Sequence, residues 1–115
     1  MMQPIEQQLL QPEGKQLEFK RDLSSPKPLL KTLIAFANTA GGQLIIGVAD
    51  NGEVIGVVDP LAEEERLTNL IADAIAPRLL PNIELFTVAG KTLLRVEVFL
   101  SNSRPHYLKS LGPEQ

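Results

Sequence analysis

The stretch Ala35-Phe36-Ala37-Asn38-Thr39-Ala40-Gly41-Gly42-Gln43-Leu44-Ile45-Ile46-Gly47-Val48 joins the end of a helix to a strand through two glycines. Gly41-Gly42 supplies the positive-φ backbone that commonly closes a helix. Leu44, Ile45, Ile46 and Val48 then form the apolar run of a strand buried on both faces. Upstream, Leu29, Leu30, Leu33, Ile34 and Ala37 recur at helical spacing. Ser25 followed by Pro26 and Pro28 suits a helix start, because proline lacks an amide that the first turn leaves unpaired anyway. These residues predict a helix from about Ser25 to Thr39, followed by a central strand.

The reading extends outward in both directions. Leu17 and Phe19 alternate with Glu18 and Lys20, the period-2 signature of a strand over 16–20. Residues 5–10 suit a short helix ended by Pro12 and Gly14. Downstream, Asn51-Gly52 predicts a type I′ turn that pairs Val54, Ile55, Val57 and Val58 back onto the preceding strand. Asp59-Pro60 gives an N-cap and first-turn proline, with Glu63, Glu64 and Glu65 near the positive helix end. Leu67, Leu70, Ile71, Ala74 and Ile75 continue a buried stripe up to Pro77. Ala89-Gly90 joins two β runs, 83–88 and 91–99, with Leu94, Val96 and Val98 alternating against Arg95 and Glu97. The order implies an α+β fold: a two-layer sandwich with a mixed, mostly antiparallel sheet and two main helices on one face.

At 115 residues the chain has the size of one domain. It has no cysteine, which excludes disulfides and thiolate metal sites and points to a reducing cytoplasm. No apolar run approaches the roughly 20 residues a bilayer span needs, and the polar start lacks a secretory pattern. The net charge of −3 opposes non-specific polyanion binding, but the cations are clustered. Lys15, Lys20, Arg21, Lys27 and Lys31 crowd the first third, and Arg104, His106 and Lys109 lie near the end. These residues either build one basic face or are ordinary solvated charges. No Gly-rich loop ending in Gly-Lys-Ser/Thr occurs, so this segment is not expected to hydrolyse ATP. One tyrosine and no tryptophan supply little for base stacking.

Several ordered motifs resemble the Schlafen AlbA-like, or divergent AAA, domain. They are Glu13 with Glu18-Phe19-Lys20, then Ala35-Phe36-Ala37-Asn38-Thr39 with Gly41-Gly42, then Ile46-Gly47-Val48 with Asp50 and Gly52, and finally Arg104-Pro105-His106-Tyr107-Leu108. The likeness divides the chain into a polar segment, 1–12, and a domain, 13–115. Family members continue into a further strand where this chain stops at Gln115, so a longer parent with further domains is expected. The resemblance implies DNA binding within bacterial transcriptional regulators or RecG-helicase-related proteins, with RNA as the other nucleic-acid partner.

The phosphate-contacting set on that reading is Lys15, Lys20, Arg21, Lys27, Lys31, Arg104, His106 and Lys109, and no cofactor is needed. Asn38, Gly41, Gly42, Gly47 and Gly52 are structural positions, with Asn38 and Thr39 closing their own helix end. His106 reads first as a surface residue. In the animal Schlafen branch the resemblance implies a metal-dependent endoribonuclease whose carboxylates match Glu13, Glu18 and Asp50, with Mg²⁺ or Mn²⁺ as the ion. That branch carries its acid directly after Gly-Val, where this chain has Ala49. Asp50 has an alternative role in the Asn-Gly turn, and Glu18 has two, as a plain solvent-side strand residue or as an ion-pair partner of Lys20 or Arg21. A third reading is self-association to a homo-oligomer through an unpaired edge of strand 91–99.

Overall fold

The structure, a computed structural model, describes residues 4–113. In chain order its elements are α1 (Ile5–Gln8), β1 (Leu17–Lys20), α2 (Pro26–Thr39), β2 (Gly42–Ile46), α3 (Pro60–Ala74), β3 (Ile75–Ala76), β4 (Asn82–Val88), β5 (Lys91–Val98) and β6 (Tyr107–Leu108). Four strands form one sheet in the order β1-β2-β5-β4, with β1 parallel to β2 and the other pairs antiparallel. β3 and β6 form a separate antiparallel pair. This is the mixed two-layer α+β architecture that the alternation of patterns implies.

The apolar stripe of α2, including Leu29, Leu30, Leu33 and Phe36, packs with Leu67 and Ile71 of α3 over Leu44, Ile46, Leu94, Val96 and Val98 of the sheet. Burying a side chain of this size contributes about 1.5–3 kcal/mol, so this layer dominates the stability. Asp59 caps α3 as its position predicts, its carboxylate accepting the Ala62 amide at 3.2 Å. At the glycine pair, Gly41 has φ +76, and a Cβ there would meet the Val98 carbonyl oxygen at 2.8 Å. A Cβ on Gly42 would stand 2.6 Å from the Phe36 ring. The two glycines therefore let β2 sit against both the end of α2 and the neighbouring strand.

The β1-α2-β2 crossover starts α2 at the carboxyl ends of the parallel strands. The Val57 amide, donating to the Thr92 carbonyl at 2.9 Å, holds the approach to α3 at that same end. Both helix N-termini thus share one end of the sandwich, which decides where positive potential gathers.

Four expectations are corrected. Asn51-Gly52 does not close a hairpin of two strands: only Val48 and Val54 form an isolated bridge. Gly47, at φ +114, turns the chain out of the ladder, and its carbonyl accepts both the Ile55 and Gly56 amides at 2.9 Å. Strand 91–99 is no edge, since β5 lies between β2 and β4, and the outer strands are β1 and β4. Ile75 leaves the helix and pairs with Leu108, keeping its burial through β3 instead.

Finally, Arg95 does not face solvent. It is 6% exposed, because the opposite face of the sheet is also covered. Ile5 packs there with Leu17, Ile45, Val48 and Leu93. Gln8, 2% exposed, accepts from Arg95 Nη1 at 2.8 Å and donates to the Gln43 Oε1 at 2.6 Å. The Arg95 guanidinium lies 4.3 Å from the Phe86 ring centroid.

Candidate nucleic-acid interface

The predicted cations split between the two ends of the sandwich. Lys20 ends β1 and Arg21 follows it, and Lys27 and Lys31 lie one turn apart on α2, which starts at that end. Arg21, Lys27 and Lys31 are exposed and make no ion pair among the described residues, whereas Lys20 Nζ stands 3.8 Å from Glu18. Lys15, in the turn before β1, belongs to the other end. There Arg104 Nη1 donates to the Ser101 carbonyl at 3.1 Å, and Lys109 Nζ donates to the Ala72 carbonyl at 3.2 Å. Lys109 thereby satisfies a carbonyl that the end of α3 leaves open. The last two cations are thus committed to the fold, and only the first group offers free charge next to the positive helix ends.

His106 is not at the surface. It is 3% exposed, with Nδ1 2.7 Å from the Pro77 carbonyl and Nε2 2.6 Å from Ser101 Oγ. A carbonyl only accepts, so Nδ1 carries the proton and Nε2 accepts from the serine. Asn38 does not close its own helix either. Its amide grips the His106 backbone twice, Nδ2 donating to the carbonyl at 3.0 Å and Oδ1 accepting the amide at 2.8 Å. Thr39 does bond within its helix, Oγ1 donating to the Ala35 carbonyl at 2.7 Å.

The three carboxylates of the metal reading fall into two relations. Leu17 and Phe19 turn their amides to the outer edge of β1, where Glu13 Oε2 accepts the Phe19 amide at 2.8 Å and Gly14 bridges Leu17. Glu13 thus closes a sheet edge. Partial burial, together with the charge and hydrogen bond of Glu13, holds the Glu18 carboxyl above its ordinary value, and Lys20 partly offsets this. Asp50 and Glu13 line a cleft of about 400 Å³ beneath Asn51, in which Glu18 has no part. The turn bond there belongs to Asn51, whose Oδ1 accepts the Glu53 amide at 3.0 Å. Among the described residues no three His, Asp or Glu side chains stand together as a metal site.

One charged residue escaped the pattern reading. Arg66, on α3, lines a cleft of about 490 Å³ together with Arg21, Asp22, Ser24, Val57 and Glu63. Nothing in its local sequence marks it, because it falls on the polar side of an amphipathic helix. The Asp22 carboxyl is held below its ordinary value, first by the Ser24 hydroxyl and amide at 2.5 and 2.9 Å, then by the positive charges of Arg21 and Arg66.

A parallel βαβ crossover extended by an antiparallel hairpin, with two helices on one face and no phosphate-cradling Gly-Lys-Ser/Thr loop, defines a compact α+β module. The chain belongs to the Schlafen, AlbA_2 family, whose model matches residues 13–112. The structure is similar to the solution structure of the N-terminal domain of a Nitrosomonas europaea protein named as ATP-dependent DNA helicase RecG-related. That likeness has a TM-score of 0.80 and 30% identity, over 99% of this chain and 86% of the other. A lesser likeness, of fold alone, joins it to the crystal structure of the DIP2311 protein from Corynebacterium diphtheriae. It has a TM-score of 0.64 and 22% identity, over 92% of this chain and 23% of that one. No helix among the described residues is long and apolar enough to cross a membrane.

Proposed function

We propose that the chain is a nucleic-acid-binding module, DNA being its first partner, that works within a larger regulator or helicase-related protein. The observation that carries this is the exposed trio Arg21, Lys27 and Lys31, free of ion pairs among the described residues and set where both helices present their positive ends. The family membership and the RecG-related neighbour support it. Asp59, Glu63, Glu64 and Glu65 stand on the first turns of α3, so the binding path follows α2 and the end of β1.

Electrophoretic shift with duplex DNA at two salt concentrations tests this. Each phosphate contact contributes about 0.9 to the slope of log affinity against log salt. Lys27→Ala with Lys31→Ala is expected to lower both affinity and slope, while Lys109→Ala, at a cation already bonded to a carbonyl, leaves the slope unchanged. Equal effects of the two, or no shift of DNA or RNA at low salt, would refute the assignment.

A second reading, a divalent-metal endoribonuclease, draws on one observation, the pairing of Glu13 with Glu18, whose carboxyl is raised first by burial and then by Glu13. Structured RNA that stays uncut in Mn²⁺, or is cut equally by Glu18→Ala, removes it.

A further inference from the structure

The Arg21–Arg66 cleft is built unlike the open surface of α2. It opens at the carboxyl ends of the parallel strands β1 and β2, where a crossover connection leaves a crevice in α/β sheets. Its volume of about 490 Å³ suits a small ligand. Two arginines from different segments line it, Arg21 just after β1 and Arg66 on α3, and the positive charge of each helps hold the Asp22 carboxyl below its ordinary value. Neither makes an ion pair among the described residues. Asp22 itself is occupied by Ser24 through two hydrogen bonds. The other carboxylate, Glu63, lies in the first turn of α3, where the helix end offsets its charge. Ile55 and Val57 give the cleft an apolar wall, and Val58 beside them is fully exposed.

The amide contribution is small. Pro26 and Pro28 remove two of the first three amides of α2, so its N-terminus is a poor anion cradle and the arginines must supply the donors. Two guanidiniums match the double negative charge and the several acceptor oxygens of a phosphate monoester better than the single charge of a phosphodiester. The apolar wall then faces whatever body the phosphate carries.

The geometry points to a phosphate-monoester site in this cleft, of nucleotide size, with Arg21 and Arg66 clamping the phosphate and Ile55 and Val57 taking the attached base or sugar face. Two sources present that chemistry: a free nucleoside 5′-monophosphate, or the 5′-phosphate at the end of a nucleic-acid strand. Neither requires the path along α2, and Arg66 has no place in that path.

The test titrates the whole chain with adenosine 5′-monophosphate by calorimetry. In parallel, it compares 5′-phosphorylated with 5′-hydroxyl single strands of one sequence by fluorescence anisotropy. Binding of the monophosphate identifies a small-molecule source. A gain confined to the phosphorylated strand identifies a strand end. In either case Arg66→Ala is expected to lower the phosphate-dependent affinity by about 10- to 100-fold, the range for one lost charge-assisted contact. Arg66→Lys, which keeps the charge and loses the fork, recovers part of it. The inference is overturned if neither probe shows phosphate-dependent binding, or if Arg66→Ala leaves that binding intact. Loss of duplex binding in Lys27→Ala with Lys31→Ala, with the Arg66-dependent binding retained, separates this site from the proposed interface.

Discussion

Asn38 is the sharpest point at which to break the molecule without touching its apolar core. Its side chain is the clasp between α2 and the segment carrying β6, and Asn38→Ala removes both of its bonds to the His106 backbone, at 3.0 and 2.8 Å. A net value of about 0.5–1.5 kcal/mol for each hydrogen bond gives about 1–3 kcal/mol in all. The upper half is expected, because the His106 amide and carbonyl are left without partners beside a buried ring. Asn38→Asp keeps the acceptor for the His106 amide but sets a carboxylate oxygen against the His106 carbonyl in place of the donor, so it should cost at least as much as Asn38→Ala at pH 7. Urea unfolding followed by far-ultraviolet circular dichroism measures both, the chain having no tryptophan. Amide exchange adds a local readout: the His106 and Lys109 amides, the latter bonded to the Ala74 carbonyl, should lose protection before the amides of β5. A loss below about 0.5 kcal/mol, or unchanged exchange at those two amides, would refute the view that Asn38 fastens the segment.

Other consequences concern the turn, the core and the titrating groups. Ala89 has φ +51 in the β4–β5 turn, so Ala89→Gly should raise stability by about 0.5–1 kcal/mol in thermal unfolding. Gly42→Ala drives a methyl group into the Phe36 ring and should cost about 1–3 kcal/mol by urea titration, with Phe36→Leu in the same chain recovering part of it. The raised Glu18 carboxyl means the folded state holds its proton more tightly than the unfolded chain. Its charge therefore opposes folding above that raised value and not below the ordinary 4.5, so Glu18→Gln should raise the melting temperature at pH 7 and leave it unchanged near pH 4. Asp22 has the opposite sign: its depressed carboxyl stabilises the fold above the ordinary 3.8, and that benefit fades as pH falls through the folded value. Asp22→Asn should accordingly lower the melting temperature at pH 7 more than at pH 2.

Where local chemistry decides the outcome, the sequence is readable. Ser25-Pro26 and Asp59-Pro60 start their helices on the spot, Gly41 stops one, and Ala89-Gly90 turns a hairpin. Failures come where a distant partner outweighs the local signal. Asn51-Gly52 is a good turn pair, yet Gly47 has already bent the chain, and its one carbonyl takes two amides that a ladder would have spread over two residues. β3 and β6 are two residues each, and Asn38 fastens the His106 backbone just ahead of β6. Arg95 alternates with apolar neighbours and so reads as solvent-facing, and Gln8, 87 positions away, helps make its burial tolerable. For the binding residues the same logic holds: charge counting finds Arg21, Lys27 and Lys31, but it cannot tell that Lys109 is spent on a helix end or that Arg66 and Arg21 line one cleft.

The segment ahead of Glu13 lies outside the span that sequence similarity assigns to the family, yet its Ile5 and Gln8 side chains are buried. Anyone trimming the chain to the boundaries of its family would strip the roof from one side of the sheet. Leu93 and Ile45 would then meet water, and a guanidinium would lose one of its partners. Sticky, poorly behaved material from such a truncation would reflect the cut rather than the domain, and the folding unit is best taken to begin where the packing begins.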